Sequence, residues 1–260
     1  MQATRVATPC PQVRPTNIGS EDCLYLNVYT PARITAAARP VMVYIPGGGF
    51  TQGSASSAYY DGRYIAERAG VIVVTPTYRV GALGFLTAPV LDRESPAKVS
   101  GNYGLLDQQA ALRWVHDNIG AFGGNPHNVT LFGESAGGNS TEYALISAAT
   151  AGLYQHAIVE SSVGGFQIPN LPIAVAEAGG SATVIAAVGC AGATDVAACL
   201  RALPAYAFLS PAATSPGSSL PVVDGVVLPQ QPLQATLLHG PGGGRTTPTF
   251  VCSYTNRPNP

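Results

Sequence analysis

The feature that most constrains this chain is a series of short apolar runs, rich in β-branched residues, that alternate with segments of helical periodicity. The runs are VMVYI at 41–45, VIVVT at 71–75, VTLF at 129–132, AIVES at 157–161 and TFVC at 249–252. Continuous apolar runs of this length are typical of strands that are buried on both faces of a parallel sheet. Strands that alternate with helices predict an α/β fold, with a mostly parallel central sheet and helices on both faces.

Two helices are predicted on either side of the third run. Residues 105–120 place four apolar side chains on or beside one helical stripe, and Gly120 supplies a stop. The four are Ala111, Leu112, Val115 and Ile119. The stretch AGGNSTEYALISAA predicts the second helix, which begins directly after Ser135.

Composition bounds the remaining possibilities. With 46% hydrophobic residues in 260, the chain can form a single core, so we predict one domain over 1–260 with a loop-rich region at 203–248. Charged residues make up only 10% and the net charge is −1, with no basic cluster, so nucleic acid is not an expected partner. No apolar run reaches the roughly 18 residues of a membrane span, and the first residues show no export signal.

The five cysteines show neither CxxC spacing nor companion histidines, which argues against a zinc site. Pairing Cys10 with Cys23 and Cys190 with Cys199 would close short loops and leave Cys252 over. Such pairs would imply an oxidising compartment. Five reduced cysteines remain the alternative, because spacing alone does not establish either bond.

The stretch TLFGESAGG at 130–138 contains the candidate catalytic residue. Its GxSxG motif lies between a predicted strand and a predicted helix, which is the setting that a nucleophile elbow requires. Ser135 is therefore the candidate nucleophile, and the N–H of Ala136 is the first candidate donor to a substrate oxyanion. The second donor is expected from YIPGGGF at 44–50, where consecutive glycines after a strand let backbone N–H groups approach a ligand.

Together these segments resemble the type B carboxylesterases, the cholinesterase-like branch of the α/β-hydrolases. The resemblance extends over nearly the whole chain. It is carried by SEDCLYLNVYTP at 20–31, GGGF at 47–50, TPTYRVGALGFL at 75–86, the segment 101–138 that ends in GESAGG, and CLRALP at 199–204. It implies an α/β-hydrolase fold and hydrolysis of carboxylic esters through an acyl-enzyme, with no metal or organic cofactor.

The resemblance also assigns roles. Ser135 would be the nucleophile, Gly48, Gly49 and Ala136 would form the oxyanion hole, and Glu134 would support the electrostatics of the site. The two cysteine pairs proposed from spacing match two disulfides of the family. Arg79 and Asp107 would form an internal salt bridge with a structural role.

The rest of the family's catalytic triad has no counterpart here. A serine needs a base and an orienting acid, and the order along α/β-hydrolase chains is serine, acid, histidine. Arg257 stands where the family glutamate is expected, and the family histidine would lie beyond Pro260. His116, His127 and His156 do not follow the expected order, and His239 precedes the last strand, so none is assigned.

These observations lead to one main expectation and two alternatives. The chain is expected to be the core of a serine esterase, truncated at both ends, acting on small-molecule esters and secreted in its full-length form. Without the acid and the histidine, the isolated chain is expected to show little or no turnover. One alternative is a cholinesterase-like adhesion or binding domain, which usually lacks the nucleophile. The other is a truncated pseudoenzyme without a stable fold.

Overall fold

A six-stranded sheet organises the part of the chain that the computed structural model describes, namely residues 6–13, 19–32, 38–162, 170–210, 220–232, 234–235 and 249–253. The strands are β1 (Leu26–Tyr29), β2 (Arg39–Ile45), β3 (Ile72–Pro76), β4 (Gly124–Glu134), β5 (His156–Glu160) and β6 (Thr249–Ser253). Strands β2 to β6 contain the five apolar runs predicted as strands, except for Val71 and Ser161, each of which lies one residue outside its strand. The predicted strands are therefore confirmed.

The strands are ordered β1-β3-β2-β4-β5-β6, and every neighbouring pair is parallel except β1 with β3. This is the mostly parallel sheet of an α/β-hydrolase fold, as predicted. The central position of β2 and β4 explains their apolar runs, because a strand with neighbours on both sides and helices above it has no exposed edge.

The helices follow the strands. They are α1 (Arg63–Ala69), α2 (Gly81–Phe85), α3 (Pro89–Asp92), α4 (Tyr103–Asn118), α5 (Ala136–Ile146), α6 (Ile173–Ala176), α7 (Ala182–Ala187) and α8 (Val196–Ala202). A π-helical turn, Glu177–Ser181, joins α6 to α7. Short 3₁₀ turns cover Ala58–Tyr60, Ile119–Phe122, Ala148–Thr150 and Ala205–Leu209.

The main core lies on the sheet face that carries the odd-numbered residues of β2. Val41, Val43 and Ile45 are fully buried there against α4 and α5. The opposite face carries Val73 of β3, and Gly62 at the start of α1 lies against its side chain. Helices therefore pack on both faces, as predicted from the alternation of elements.

The first strand was not predicted. LNVY in β1 is an edge strand, and all four of its residues are only half-buried, so it lacks the continuous apolar run of its neighbours. A signal was present, because Leu24, Leu26 and Val28 alternate with polar or amphipathic residues, the pattern of a half-buried strand.

The α-helix has ended before Gly120, as predicted, but the left-handed cap is not at this glycine. α4 ends at Asn118 and passes into a 3₁₀ turn, and the left-handed conformation falls on Gly123, with φ 82°. Ile119 is fully buried and keeps the chain wound beyond the end of the helix. The burial of Leu112 and Val115 confirms the predicted apolar stripe, in which Ala111 is only half-buried.

A smaller apolar cluster lies beside the main core. It joins Ala82 and Leu86 of the α2 region to Val184 of α7, Cys190, Leu200 and Phe208. Much of the predicted loop-rich region 203–248 lies outside the described residues, but two of its segments pack on helices. Phe208 belongs to this cluster, and Asp224 accepts a hydrogen bond from Asn102 Nδ2 at 2.9 Å.

Candidate active site

Ser135 occupies a strained turn between β4 and α5. Its backbone has φ 57° and ψ −120°, a conformation that residues other than glycine rarely adopt. The turn is fixed by the Ser135 N–H, which donates to the Glu160 carbonyl oxygen at 3.0 Å. Ser135 is half-exposed, whereas Ala136, the first residue of the 11-residue helix α5, is buried. The strand, turn and helix predicted around Ser135 are present.

The glycines around Ser135 permit close approach of backbone segments. A Cβ atom on Gly137 would overlap the Ile45 carbonyl oxygen, and one on Gly133 would lie 2.5 Å from the Gly137 carbonyl carbon. A Cβ atom on Gly138 would lie 2.6 Å from the Glu160 carbonyl oxygen. Side chains at these positions would push the helix away from the ends of β2 and β5.

The glycine loop and the serine turn meet because β2 and β4 are neighbours. Ile45 at the end of β2 pairs with Gly133 near the end of β4, so the residues that follow them emerge at the same edge. A Cβ atom on Gly47 would lie 2.5 Å from the Glu134 carbonyl oxygen. The structure thus brings the GGG segment against the residue that precedes Ser135.

The glycine loop itself has an unusual backbone. Gly48, Gly49 and Phe50 follow one another with φ of 123°, 64° and 60°. The Gly48 carbonyl oxygen accepts hydrogen bonds from the N–H groups of Thr51 and Gln52, both at 3.2 Å. These bonds close the turn, and Gly49 is exposed on it.

Two residues that were not predicted to do so, Gln12 and Phe50, hold the loop in place. The buried side chain of Gln12 accepts a hydrogen bond from the Gly53 N–H at 2.9 Å and donates to the Cys10 carbonyl oxygen at 3.1 Å. The Phe50 ring lies 5.3 Å from that of Phe85, and its carbonyl oxygen accepts from the Gly81 N–H at 2.7 Å. No local pattern in the sequence predicts the role of Gln12.

Glu134 lies exposed beside Ser135, near two tyrosines of the neighbouring strand and turn. Burial raises the pKa of the Tyr60 phenol, and the negative charge of Glu134 raises it further. Burial likewise raises the pKa of Tyr44, with smaller contributions from Tyr60, Glu134 and Glu160. Both phenols therefore stay protonated at neutral pH; Glu134 acts on both tyrosines, and Glu160 acts on Tyr44.

The described histidines lie at the other end of the sheet. His127 lies on β4 seven residues before its last residue, Glu134, so roughly 23 Å of extended strand separates it from the serine turn. His156 begins β5, and its register partner is Thr130. His116 pairs with Asp117 at 2.9 Å. Within the described ranges, no hydrogen bond joins the Ser135 hydroxyl to a histidine or a carboxylate, and His239 and Arg257 lie outside them.

The predicted supporting pairs are present. Arg79 donates to Asp107 through Nε at 2.8 Å and Nη2 at 2.7 Å, and its backbone N–H donates to the same carboxylate at 3.0 Å. These bonds to Asp107 raise the pKa of Arg79. The disulfides Cys10–Cys23 and Cys190–Cys199 are both formed, which confirms the pairing.

The described part of the chain holds no group of three or more His, Cys, Asp or Glu residues that could bind a metal ion. None of its helices is long and apolar enough to cross a membrane.

Residues 1–256 match the sequence profile described as "Carboxylesterase family". The chain is 48% identical over 161 residues to "Fumonisin B1 esterase" of Sphingopyxis macrogoltabida, covering 62% of this chain and 29% of that protein. It is 45% identical over 218 residues to "Cocaine esterase" of Oryctolagus cuniculus, covering 82% of this chain and 38% of that protein. It is 43% identical over 231 residues to "Acetylcholinesterase" of Electrophorus electricus, covering 84% of this chain and 35% of that protein. The chain therefore spans between 29% and 38% of the length of these relatives.

Proposed function

Because this chain belongs to the carboxylesterase family, we propose that it carries the nucleophile and the oxyanion site of a serine hydrolase that acts on carboxylic esters. The observation that supports this most is the backbone of Ser135. A positive φ on a serine, between a buried strand and an 11-residue helix, is costly and is found where a side chain must be presented to a substrate.

In the proposed chemistry, the Ser135 Oγ attacks the ester carbonyl carbon and the carbonyl oxygen becomes an oxyanion. The N–H groups of Gly48, Gly49 and Ala136 are proposed to donate to that oxygen. Such donors typically lower the barrier by roughly 3 to 4 kcal/mol each. Collapse of the tetrahedral intermediate expels the alcohol and leaves an acyl-serine, which water then hydrolyses.

Glu134 is proposed to support this site electrostatically. Its carboxylate is exposed beside Ser135, and the two nearby tyrosines are neutral, so it contributes a negative charge that can stabilise a cation during proton transfer. No described residue is proposed as the base or as its orienting acid. We therefore expect the isolated chain to hydrolyse p-nitrophenyl acetate slowly or not at all.

A cysteine at position 135 tests the nucleophile without requiring the base. A thiol ionises far more readily than a serine hydroxyl, and a helix N-terminus lowers its pKa further. Ser135→Cys is expected to release one equivalent of p-nitrophenol in a burst and to retain one acetyl group on residue 135, located by peptide mass mapping. The unsubstituted chain, which also contains Cys252, supplies the background.

The matched control places the thiol on an ordinary loop. Ser56 is exposed and lies outside the serine turn and the GGG segment at 47–49, so Ser56→Cys has no α-helix N-terminus beside it. We expect it to acylate at least about 100-fold more slowly. Equal burst rates in the two variants would contradict the proposed oxyanion site. Rapid steady-state hydrolysis by the unsubstituted chain, lost in Ser135→Ala, would show that an unassigned base is present.

A second candidate function is non-catalytic binding. It is favoured by the distance of His127 and His156 from Ser135. The same experiment separates the two candidate functions, because a binding domain does not need a reactive side chain at position 135. Failure of Ser135→Cys to acylate faster than Ser56→Cys would favour the binding domain.

The remaining proposals concern the whole protein. The substrate is proposed to be a small-molecule ester. Residues 1–260 are proposed to belong to one domain. Two disulfides favour an oxidising compartment, and secretion is proposed on that ground.

A further inference from the structure

A second concave site lies apart from Ser135. It is a cleft of about 630 Å³ between the Cys10–Cys23 segment, α2, the start of α4 and the chain after α8. None of its described lining residues belongs to the glycine loop or to the serine turn. Its volume lies within the roughly 300 to 1,000 Å³ that is usual for small-molecule sites.

Most of the cleft wall is apolar, and five of the six side chains named below are leucines. Six of the lining side chains come from four separate segments of the chain. They are Leu83, Leu86, Leu91, Leu200, Leu203 and Phe208. Leu86, Leu200 and Phe208 also belong to the smaller apolar cluster, which the Cys190–Cys199 disulfide closes, so this wall is fixed by the fold. Such a wall favours an alkyl chain.

The polar part of the cleft combines the donors Arg79, Arg201 and Tyr103 with the Glu21 carboxylate. The Arg79 guanidinium carbon lies 5.4 Å from the centroid of the Tyr103 ring, and Tyr103 also interacts electrostatically with Arg201. Arg79 uses Nε and Nη2 on Asp107, and Arg201 uses Nη1 and Nη2 on Glu94. Within the described residues, Arg79 Nη1 and Arg201 Nε have no hydrogen-bond acceptor.

The charges in this cleft are already balanced. Each arginine is paired with a carboxylate, and Glu21 adds a further negative charge to the lining. The Glu21 carboxylate accepts from the Ala205 N–H at 3.3 Å, on the rim of the cleft. Glu21 would repel an anionic ligand, and the two guanidinium groups would repel a cationic one. An uncharged hydrogen-bond acceptor can bind Arg79 and Arg201 without either repulsion.

We propose that this cleft binds an uncharged aliphatic carbonyl compound of medium chain length, an ester or a ketone. The alkyl chain lies along the leucine wall, and the carbonyl oxygen accepts from Arg79 Nη1 and Arg201 Nε. The proposal does not depend on Ser135, and its failure would leave the proposed esterase function untouched.

Isothermal titration of the purified chain tests the proposal. The probe is 2-nonanone, because a ketone cannot be hydrolysed. Octanoate and octylammonium carry similar alkyl chains with opposite charges. We expect 2-nonanone to bind at one site per chain, at least about tenfold more tightly than either ion. Absence of saturable binding, or tighter binding of an ion, would overturn the proposal.

Paired variants locate the binding site. Ala205→Trp places a large ring in the cleft and is expected to abolish binding, whereas Ala202→Trp, at an exposed position outside it, is expected to have no effect. Arg201→Met removes one neutral-acceptor hydrogen bond and is expected to weaken binding about fivefold. Arg113→Met, at an exposed arginine of α4 outside the cleft, should bind like the unsubstituted chain.

Two further results decide between this cleft and the serine site. Ser135→Ala is expected to bind 2-nonanone unchanged, and loss of binding in that variant would overturn the assignment. Thermal unfolding of each variant shows whether it is folded. If Ala205→Trp folds and still binds 2-nonanone, the assignment to the cleft is overturned. If Ala205→Trp does not fold, Arg201→Met provides the second test, because it changes only an exposed side chain.

Discussion

Backbone strain in this protein is concentrated around the candidate site. Among the described residues, four non-glycine residues have positive φ, namely Phe50, Lys98, Ser135 and Ser161. Three of these follow the ends of β2, β4 and β5, which meet at the same edge of the sheet. Each such residue costs of order 1 to 3 kcal/mol. The surrounding glycine contacts and hydrogen bonds hold this edge in a conformation that the local sequence alone would not adopt.

A buried carboxyl group on α5 is a further residue-scale feature. Glu142 is 8% exposed, and its Oε2 atom has no hydrogen-bond partner among the described residues. Burial raises the pKa of Glu142, and a hydrogen bond with Ser162 only partly offsets this. The folded protein therefore favours the protonated form of Glu142.

The pH dependence of stability should reveal this group. Because the folded-state pKa is raised, the contribution of Glu142 is most favourable below its ordinary pKa and is lost as pH rises through the raised value. Glu142→Gln, which cannot ionise, is expected to raise the free energy of unfolding at pH 8 by about 1 kcal/mol. It should have less effect near pH 4, as measured by urea denaturation at both pH values.

An exposed glutamate provides the control for Glu142. Glu67 lies on α1 and accepts a hydrogen bond from the Ala32 N–H. Glu67→Gln is expected to change stability by a similar small amount at both pH values. If Glu142→Gln showed no larger gain at pH 8 than at pH 4, the buried carboxyl would not be the source of the pH dependence.

At the scale of elements, the segment after β3 is tied to α4 by the Arg79–Asp107 pair. Asp107 has 7% side-chain exposure, and Arg79 has 36%. Asp107 satisfies the side chain of Arg79 and also its backbone N–H. The pair therefore fixes the position of α4, which forms much of the core beneath the serine turn.

Removing the charge of Asp107, the buried partner of the pair, should lower the free energy of unfolding. Asp107→Asn leaves the Arg79 guanidinium without its counter-charge. Loss of a fully buried pair typically costs 3 to 5 kcal/mol, but Arg79 retains solvent contact, so we expect about 2 to 3 kcal/mol. Urea denaturation measures the change. Asp61→Asn, which breaks the exposed pair with Arg63, is expected to cost less than about 1 kcal/mol. Equal losses would contradict a structural role for Asp107.

The elements differ in how far sequence predicts them. Strands β2 to β5 were found because each contains a continuous apolar run, whose residues are buried or half-buried in the sheet. The edge strand β1 was missed because LNVY is half-buried throughout. The end of α4 near Gly120 was predicted from a local signal, whereas the 3₁₀ turn that follows it, with Ile119 buried, was not predicted.

The candidate site shows the same division. Ser135 and the GGG segment were identified from local motifs, and the resemblance supplied their roles. Their contact depends on the order of strands in the sheet, which no local pattern specifies. Gln12 was missed because its contact with Gly53 spans separate parts of the chain, and glutamine gives no local signal of such a role.

At the scale of the whole molecule, two apolar clusters divide the described core. The larger one lies on the sheet, and the smaller one surrounds the Cys190–Cys199 loop. Cys190 is fully buried in the smaller cluster. The disulfide therefore stabilises the part of the molecule that also forms the apolar wall of the cleft.

Opening that disulfide should weaken the whole protein measurably. Its cysteines are 9 residues apart. For a loop of this size, loss of the cross-link is expected to lower the free energy of unfolding by about 2 to 3 kcal/mol. The measurement compares urea denaturation of the unsubstituted chain and of the Cys190→Ser, Cys199→Ser double variant. Reductant should then destabilise the double variant only through Cys10–Cys23, and no difference between the two proteins would contradict a stabilising role.

The pairing of Ile45 with Gly133 also has a kinetic consequence. The glycine loop and the serine turn lie far apart along the chain, and they meet only when β2 and β4 align. Closing so long a loop is entropically costly, and parallel pairings of this kind form slowly. A reporter at position 135 would therefore record the completion of the central sheet during refolding, so the reactive edge should be among the last parts of the molecule to mature.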